Sequence, residues 1–243
     1  MTSENTRLTA KEVALIICFT ALYAVFAAIP IFKIVGAAGT ISAAAITAPI
    51  IGILLGPYLG FLSAILGATI GFFYGSFSPM SFVSGTVATL CAGLLCEGKR
   101  ALCFMIYFLF FVIHGFYPSI GPVWLFPSYL WFQLAGLLLL ISPLQSSAIR
   151  NLKSNNIPVV FFSFFAVSLT STLAGQISGS LTFLVLFPNP PIVQLGVLQL
   201  LTVQYPVERT IVALSSSFIG TSLFRILKPA KLLALGSQEH AKG

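Results

Sequence analysis

The side chains that could contact a ligand are few in this 243-residue chain, which has five acidic residues and two histidines. The candidates combine cationic, amide, acidic and aromatic groups, and they are Lys33, His114, Tyr129, Trp131, Gln133, Gln176, Glu208 and Arg209. A pocket with aromatic walls and a few convergent polar groups is the usual form of a small-molecule site. The sequence therefore predicts that these side chains bind a substrate.

Each candidate also has a structural interpretation that the sequence leaves open. Trp131 suits core packing as well as ligand stacking, and Tyr129 suits the aromatic belt at a membrane surface. His114 could bond to a neighbouring helix, and Glu208 could stabilise the start of a helix. Arg209 is the most informative candidate, because a cation at a helix start opposes the helix dipole and a charge beside a membrane usually has a function.

The same scarcity of polar groups argues against catalysis. A serine nucleophile needs a base, and His114 is the sole candidate in the apolar part of the chain. The sequence has no His-Glu-x-x-His motif and no phosphate-binding loop of the Walker type. Cys91 and Cys96 do not have a metal-ligand spacing. We predict no catalytic residue, no metal and no cofactor, and therefore a protein that is not an enzyme.

Membrane helices are the elements that would position these side chains. The chain is 58% hydrophobic and 7% charged, which no soluble globular protein of this size resembles. Alternating strands typical of a membrane barrel are absent from the sequence. The predicted fold class is an all-α polytopic membrane protein with about eight transmembrane helices. Residues 12–228 would form one transmembrane domain between cytoplasmic tails at 1–11 and 229–243.

Apolar segments and turn signals locate the predicted spans, which are 12–30, two spans within 41–73, 81–96, 101–117, 123–144, 158–183 and 206–227. The apolar part of 188–205 is too short to cross a bilayer, so an interfacial or re-entrant segment is predicted there. With both termini cytoplasmic, every cation except Lys33 and Arg209 falls inside, as the positive-inside rule requires. The cations form no patch that would bind nucleic acid. The apolar spans and the distribution of the cations predict a protein of the plasma membrane.

The stretch 41–73 is the most distinctive segment, since it carries no charge and has Gly56-Pro57 at its centre. Proline cannot continue a preceding helix, so this pair would end one helix and start the next. Small residues recur every fourth position before the turn, at Ala48, Gly52 and Gly56, and such rows let membrane helices approach closely. A tight helical hairpin with a cytoplasmic turn is predicted.

The run from Pro49 to Gly67, which contains Gly56-Pro57-Tyr58-Leu59-Gly60, resembles the second and third helices of the substrate-binding S components of energy-coupling factor (ECF) transporters. Ala24-x-x-x-Ala28 in the first span is similar to the alanine motif of that family. The resemblance covers about residues 10–100, and a weaker similarity is present at 206–228. S components usually have six spans rather than eight, and the departure lies in an extra hairpin that could be spans five and six.

The resemblance implies a membrane subunit that captures a vitamin or similar micronutrient from outside. Its partners would be a transmembrane coupling protein and ATPase subunits, which supply the energy for uptake. The loop around Lys33 would gate the site. The positions that would dock on the partners are Ala21, Ala24, Ala28, Gly56 and Gly60.

Two other functions stay open at this point. A self-sufficient secondary transporter would show inverted repeats and an ion-coupling charge within its spans. The sequence shows no clear repeat, and no ion-coupling carboxylate lies in the interior of a predicted span, since Glu12 and Glu208 lie at span ends. A non-transport membrane protein, such as a membrane enzyme or an assembly factor, is the remaining alternative.

Overall fold

The computed structural model describes residues 9–33 and 40–227, so most of the predicted tails and part of the Lys33 loop lie outside the described residues. The helices are α1 (Ala10–Ala27), α2 (Ala44–Phe73), α3 (Pro79–Cys96), α4 (Arg100–Gly115), α5 (Pro122–Leu125), α6 (Trp131–Ile141), α7 (Pro143–Asn151), α8 (Ile157–Leu186) and α9 (Pro191–Leu227), with a 3-10 helix at Pro127–Leu130. Two short antiparallel strands, β1 (Pro30–Lys33) and β2 (Thr40–Ser42), pair between α1 and α2. The predicted helical class is confirmed.

Local signals in the sequence explain how the first helix begins. The Thr9 side chain accepts a hydrogen bond from the Glu12 backbone N–H at 3.3 Å, and the Glu12 carboxylate accepts one from the Thr9 backbone N–H at 2.8 Å. This reciprocal pair is a capping box, which satisfies N–H groups that the first helical turn leaves free. A threonine followed three residues later by a glutamate is the sequence signature of this arrangement, so local sequence alone explains where α1 begins.

The α2 segment reverses direction at Gly56, as the Gly-Pro pair predicts. Gly56 has φ 78° and ψ −178°, a backbone conformation that favours glycine. In a straight helix, Gly52 and Gly60 would be separated by about 12 Å. A Cβ placed on Gly60 would instead lie 3.3 Å from the Cα of Gly52, so the two arms fold against each other. Both arms depend on glycine for this close approach.

A bundle forms around this hairpin. α2 packs against α1 and α3, α3 packs against α8, and α9 packs against both α8 and α2. The close contacts use small residues, since a Cβ on Gly175 of α8 would lie only 2.4 Å from the Ser84 carbonyl oxygen of α3. The main core contains Tyr23, Leu54 and Phe164, all with little or no exposed surface. α4, α6 and α7 pack on the outside of α8.

The prediction of one continuous helix at 123–144 is wrong. The structure divides this region into α5, a 3-10 helix, α6 and α7, with prolines opening three of the four elements at Pro122, Pro127 and Pro143. α6 ends where Ser142 adopts an extended conformation. Arg100 of α4 binds this end by donating to the Leu140 and Ser142 carbonyl oxygens, at 2.5 Å and 3.0 Å. A cation suits the carbonyl-rich end of a helix.

The boundary predicted at Pro206 is also wrong, because α9 runs without interruption from Pro191 to Leu227. A proline inside a helix lacks the N–H that would bond to the carbonyl four residues earlier, here that of Thr202. The Trp131 indole N–H of α6 donates to this carbonyl oxygen at 3.1 Å. A side chain distant in sequence therefore replaces the missing backbone bond, and the helix continues.

Five of the described helices, α1, α2, α3, α8 and α9, are long and apolar enough to cross a membrane by length and composition. The pair Pro127–Ile141 and Pro143–Asn151 meets the same test together, although it is bent by 65°, and α4 is a shorter apolar helix. These features are compatible with a multi-pass membrane protein. They do not match the eight predicted spans one for one, since α2 holds two predicted spans and α9 joins one span to the predicted interfacial segment.

Candidate functional site

A cavity of about 980 Å³, measured with its open mouth, lies inside one end of the bundle. It is surrounded by the C-terminal halves of α1, α4 and α8, the N-terminal halves of α3 and α9, the 3-10 helix and the small sheet. The first arm of α2 contributes Ala45 and Ala48 to the wall, so the hairpin helps to form the cavity.

Five of the eight predicted site residues line this cavity, namely Lys33, His114, Tyr129, Gln176 and Arg209. They come from β1, α4, the 3-10 helix, α8 and α9, so they are brought together only by the packing of the bundle. Lys33 is exposed at the mouth, whereas the other four are buried. These five side chains therefore lie together around one cavity. Substrate binding by them stays a prediction.

Gln133 lies directly behind the cavity wall. Its amide N–H donates to the Gln176 side-chain oxygen at 3.1 Å, and the Gln176 amide donates to the Tyr129 hydroxyl at 2.9 Å. Tyr107, also buried, donates to the Gln133 carbonyl oxygen at 2.8 Å. This chain of bonds holds the Gln176 and Tyr129 side chains in fixed positions at the cavity surface.

A row of rings connects the imidazole side of the cavity to its cationic side. The His114 and Tyr129 ring centroids are 5.9 Å apart, and those of Tyr129 and Tyr205 are 6.0 Å apart. The guanidinium carbon of Arg209 lies 5.8 Å from the Tyr205 ring centroid, within the range of a cation–π contact. All four side chains line the cavity, which gives it one aromatic wall that ends at a positive charge.

Glu208 and Arg209 are both buried in the middle of α9, at 2% and 4% exposure. A terminal guanidinium nitrogen of Arg209 lies 3.7 Å from a Glu208 carboxylate oxygen, which is longer than a charge-assisted hydrogen bond. The other Glu208 oxygen accepts a hydrogen bond from the Gln204 amide at 2.5 Å. Glu208 therefore lies beside the cavity and balances the charge of Arg209, whereas only Arg209 faces the cavity.

Trp131 lies outside the cavity. It is 52% exposed on the surface of the bundle, and its indole N–H bonds to the Thr202 carbonyl oxygen. Of the interpretations that the sequence left open, neither deep core packing nor ligand stacking describes this residue. It supports α9 at the proline, and it does not line the cavity.

Several residues that line the cavity carry a buried polar atom with no hydrogen-bond partner in the described part of the chain. These atoms are the Tyr23 hydroxyl, the Ser42 hydroxyl, both ring nitrogens of His114, the Gln194 amide oxygen and Nε of Arg209. Burying such a group without a partner costs about 1–3 kcal/mol. Six of the eleven buried side-chain atoms without a partner in the described residues belong to this one lining, so this is where a bound molecule would supply the most missing hydrogen bonds.

The wall residues that the site prediction omitted include four with a polar or aromatic side chain of interest for binding, namely Tyr23, Ser42, Gln194 and Tyr205. Tyr23 is in the middle of an apolar helix, where nothing local separates it from a core aromatic. Gln194 and Tyr205 lie in the segment predicted to be interfacial. The useful signal was the number of glutamines in that segment, which is unusual for a helix facing only lipid.

The predicted docking residues fall into two groups. Ala21 and Ala28 of α1 are exposed and Ala24 is partly exposed, so a partner could reach them. Gly56 and Gly60 are buried, because Gly56 meets α3 at Gly93 and Gly60 meets the other arm of α2. These two glycines are internal packing positions and not part of an accessible surface.

Within residues 9–33 and 40–227, no three His, Cys, Asp or Glu side chains come together in a group that could hold a metal ion. Comparisons of the chain with protein-family profiles, with curated proteins and with solved structures found no match. The functional argument for this chain therefore rests on the cavity and on the helices that form it.

Proposed function

We propose that this protein is a membrane-embedded subunit that binds a small molecule for uptake. The observation that carries the proposal is the set of buried, unpartnered polar atoms around one cavity of the bundle. A purely structural interior would satisfy these atoms or replace them with apolar groups. In a bundle of long apolar helices, a cavity with such a lining suits a solute that crosses the membrane.

The proposed partners are a transmembrane coupling protein and ATPase subunits, because the sequence lacks a phosphate-binding loop of its own. The exposed alanine face of α1 would dock on the coupling protein. The proposal places both termini in the cytoplasm of a plasma-membrane protein and opens the cavity to the outside. The chain itself would bind and dock without catalysing a reaction.

The first experiment identifies what the cavity retains. The full chain is purified in mild detergent, and the small molecules released on denaturation are measured by mass spectrometry. Ser180→Trp would fill the cavity, since Ser180 lines it, whereas Ser222→Trp places the same bulk on an exposed position of α9. We expect a compound to be retained by the wild type and by Ser222→Trp and lost from Ser180→Trp. Equal retention by both variants would contradict the proposal.

The second experiment tests the need for a partner module. Affinity purification from the native membrane should recover an ATPase and a coupling protein with the wild type. Ala24→Trp should abolish this association, whereas Leu109→Trp, at an exposed apolar position of α4, should preserve it. Association that survives Ala24→Trp would show that α1 is not the docking surface.

One observation favours a self-sufficient secondary transporter as a second candidate. The continuous α9 puts the buried carboxylate of Glu208 well inside a helix long enough to span, although the sequence predicted it at a span end. Buried carboxylates in spans often couple transport to an ion. Uptake of the retained compound by the purified chain in liposomes, driven by an ion gradient and lost in Glu208→Gln, would decide for this candidate.

A further inference from the structure

We infer that the cavity selects an organic monoanion, a molecule with a planar ring, a carboxylate and at least one N–H or O–H donor. This inference rests on the proposed function, which assigns a small molecule to the cavity but not its chemical class. Three features of the lining support it, and they are the charge balance, the unused donors of Arg209 and the arrangement of the rings.

The charge balance around the cavity is positive. Lys33 and Arg209 line it, and no carboxylate is present among the described residues of the wall. The nearest acid is Glu208, which offsets one positive charge from its place beside Arg209. One positive charge therefore stays uncompensated, and a single carboxylate on the ligand would neutralise it.

Arg209 keeps donors available for that carboxylate. A guanidinium has five N–H donors and binds planar carboxylates through two parallel bonds. Its contact with Glu208 is 3.7 Å long, and Nε has no partner among the described residues. Because the Arg209 side chain is only 5% exposed, water compensates for little of this deficit, and an anionic ligand gains from both charge and hydrogen bonds.

The rest of the wall favours a planar body over an aliphatic one. Tyr205 lies next to Arg209, and Tyr129 and His114 continue the row at spacings of about 6 Å between rings. A flat ring attached to the carboxylate would contact these faces and edges. Gln194 contributes an unpartnered amide oxygen, which requires an N–H or O–H donor on the ligand.

The test compares ring carboxylates with their neutral amides. The probes are para-hydroxybenzoate with para-hydroxybenzamide, indole-propionate with indole-propionamide, and hydroxynaphthoate with hydroxynaphthamide. Binding to the purified full chain is measured by calorimetry, and the charge of the natively retained compound is determined by mass spectrometry. We expect at least one carboxylate to bind about tenfold to a hundredfold more tightly than its amide, which is the range for a hydrogen-bonded charge.

The variants assign that preference to Arg209. Arg209→Gln alone leaves Glu208 as an unpaired buried charge, so the double variant Glu208→Gln with Arg209→Gln is used beside it to keep the fold. Both should lose the preference for carboxylates. Arg225→Gln, which removes an exposed arginine from the same helix outside this cavity, should keep it.

Each outcome decides a different statement. Equal binding of carboxylate and amide, a retained compound that is neutral or cationic, or a preference that survives the double variant would overturn the monoanion inference and leave the proposed function intact. A chain that neither retains a compound nor binds any probe would overturn the proposed function and the inference with it.

Discussion

Two arginines in different parts of the bundle show how a structural side chain differs from a candidate binding side chain. Arg100 donates to the carbonyl oxygens of Leu140 and Ser142 and to the Ser146 hydroxyl, so its guanidinium joins α4 to the bend between α6 and α7. Arg209 is more deeply buried, has a neighbouring carboxylate only at 3.7 Å and faces a cavity with Nε unpartnered. The first arginine is satisfied by the fold, and the second has capacity for a ligand.

Two buried tyrosines repeat the contrast. Tyr107 and Tyr23 both have no exposed surface. The Tyr107 hydroxyl donates to the Gln133 carbonyl oxygen, whereas the Tyr23 hydroxyl faces the cavity and has no partner among the described residues. In these two pairs, hydrogen-bond satisfaction, more than burial or residue type, distinguishes a residue that supports the fold from one that lines the candidate site. The following predictions test that distinction.

The largest effect is expected at the buried pair. Arg209→Gln should lower the free energy of unfolding by about 3–5 kcal/mol, because it leaves Glu208 charged and unpaired in the interior. The double variant with Glu208→Gln should recover most of that loss, since no buried charge remains. Urea or thermal unfolding in detergent measures both. A double variant as unstable as the single one would show that Arg209 stabilises the fold by itself.

A somewhat smaller loss is expected at Arg100. Arg100→Gln removes charge-assisted bonds to the end of α6 and should lower the free energy of unfolding by about 2–3 kcal/mol. Binding of the retained compound should not change, because Arg100 is remote from the cavity lining. Arg150→Gln is the matched control, since this exposed arginine donates to the nearby Ser147 hydroxyl within the same helix. Weakened binding in Arg100→Gln would show that the contact of Arg100 with α6 also affects the cavity.

Substitution of Trp131 tests whether this aromatic side chain has a structural role. Trp131→Phe removes the N–H that bonds to the Thr202 carbonyl oxygen and should cost about 1–2 kcal/mol of stability. Pro206→Ala supplies a backbone N–H to the same carbonyl, so Trp131→Phe should cost less in that background. A double-mutant cycle measures the difference. Equal costs in both backgrounds would mean that the indole does not compensate for the proline.

The smallest change in stability is expected at the tyrosine pair. Tyr107→Phe should cost about 1 kcal/mol, because it removes the hydroxyl bond to the Gln133 backbone carbonyl oxygen in α6. Tyr23→Phe removes a hydroxyl that has no partner in the described fold, so stability should stay the same or rise slightly, while ligand affinity falls. Measurements of unfolding and of ligand binding on both variants check that one variant loses stability and the other loses affinity. If Tyr23→Phe destabilises the chain as much as Tyr107→Phe, the Tyr23 hydroxyl stabilises the fold in the same way as the Tyr107 hydroxyl.

Local chemistry explains what could be predicted about the fold. The Thr9 and Glu12 spacing, the Gly56-Pro57 turn and the long apolar segments depend on neighbours in sequence, and all three appear in the structure. The prediction of separate helices on either side of Pro206 was wrong because it, too, considered only neighbours. The donor that lets α9 continue is Trp131, which is far away along the chain.

The sequence by itself determined the helical membrane class, the hairpin and a short set of polar candidates, because an apolar chain with few charges leaves few alternatives. Only the tertiary structure decided which candidates share a cavity, which ones support its wall and which buried polar atoms lack a partner. Those properties depend on the packing of helices from distant parts of the chain. Arg100 and Arg209 are the same residue type in sequence, and only the atoms around them make one a helix cap and the other a candidate ligand contact.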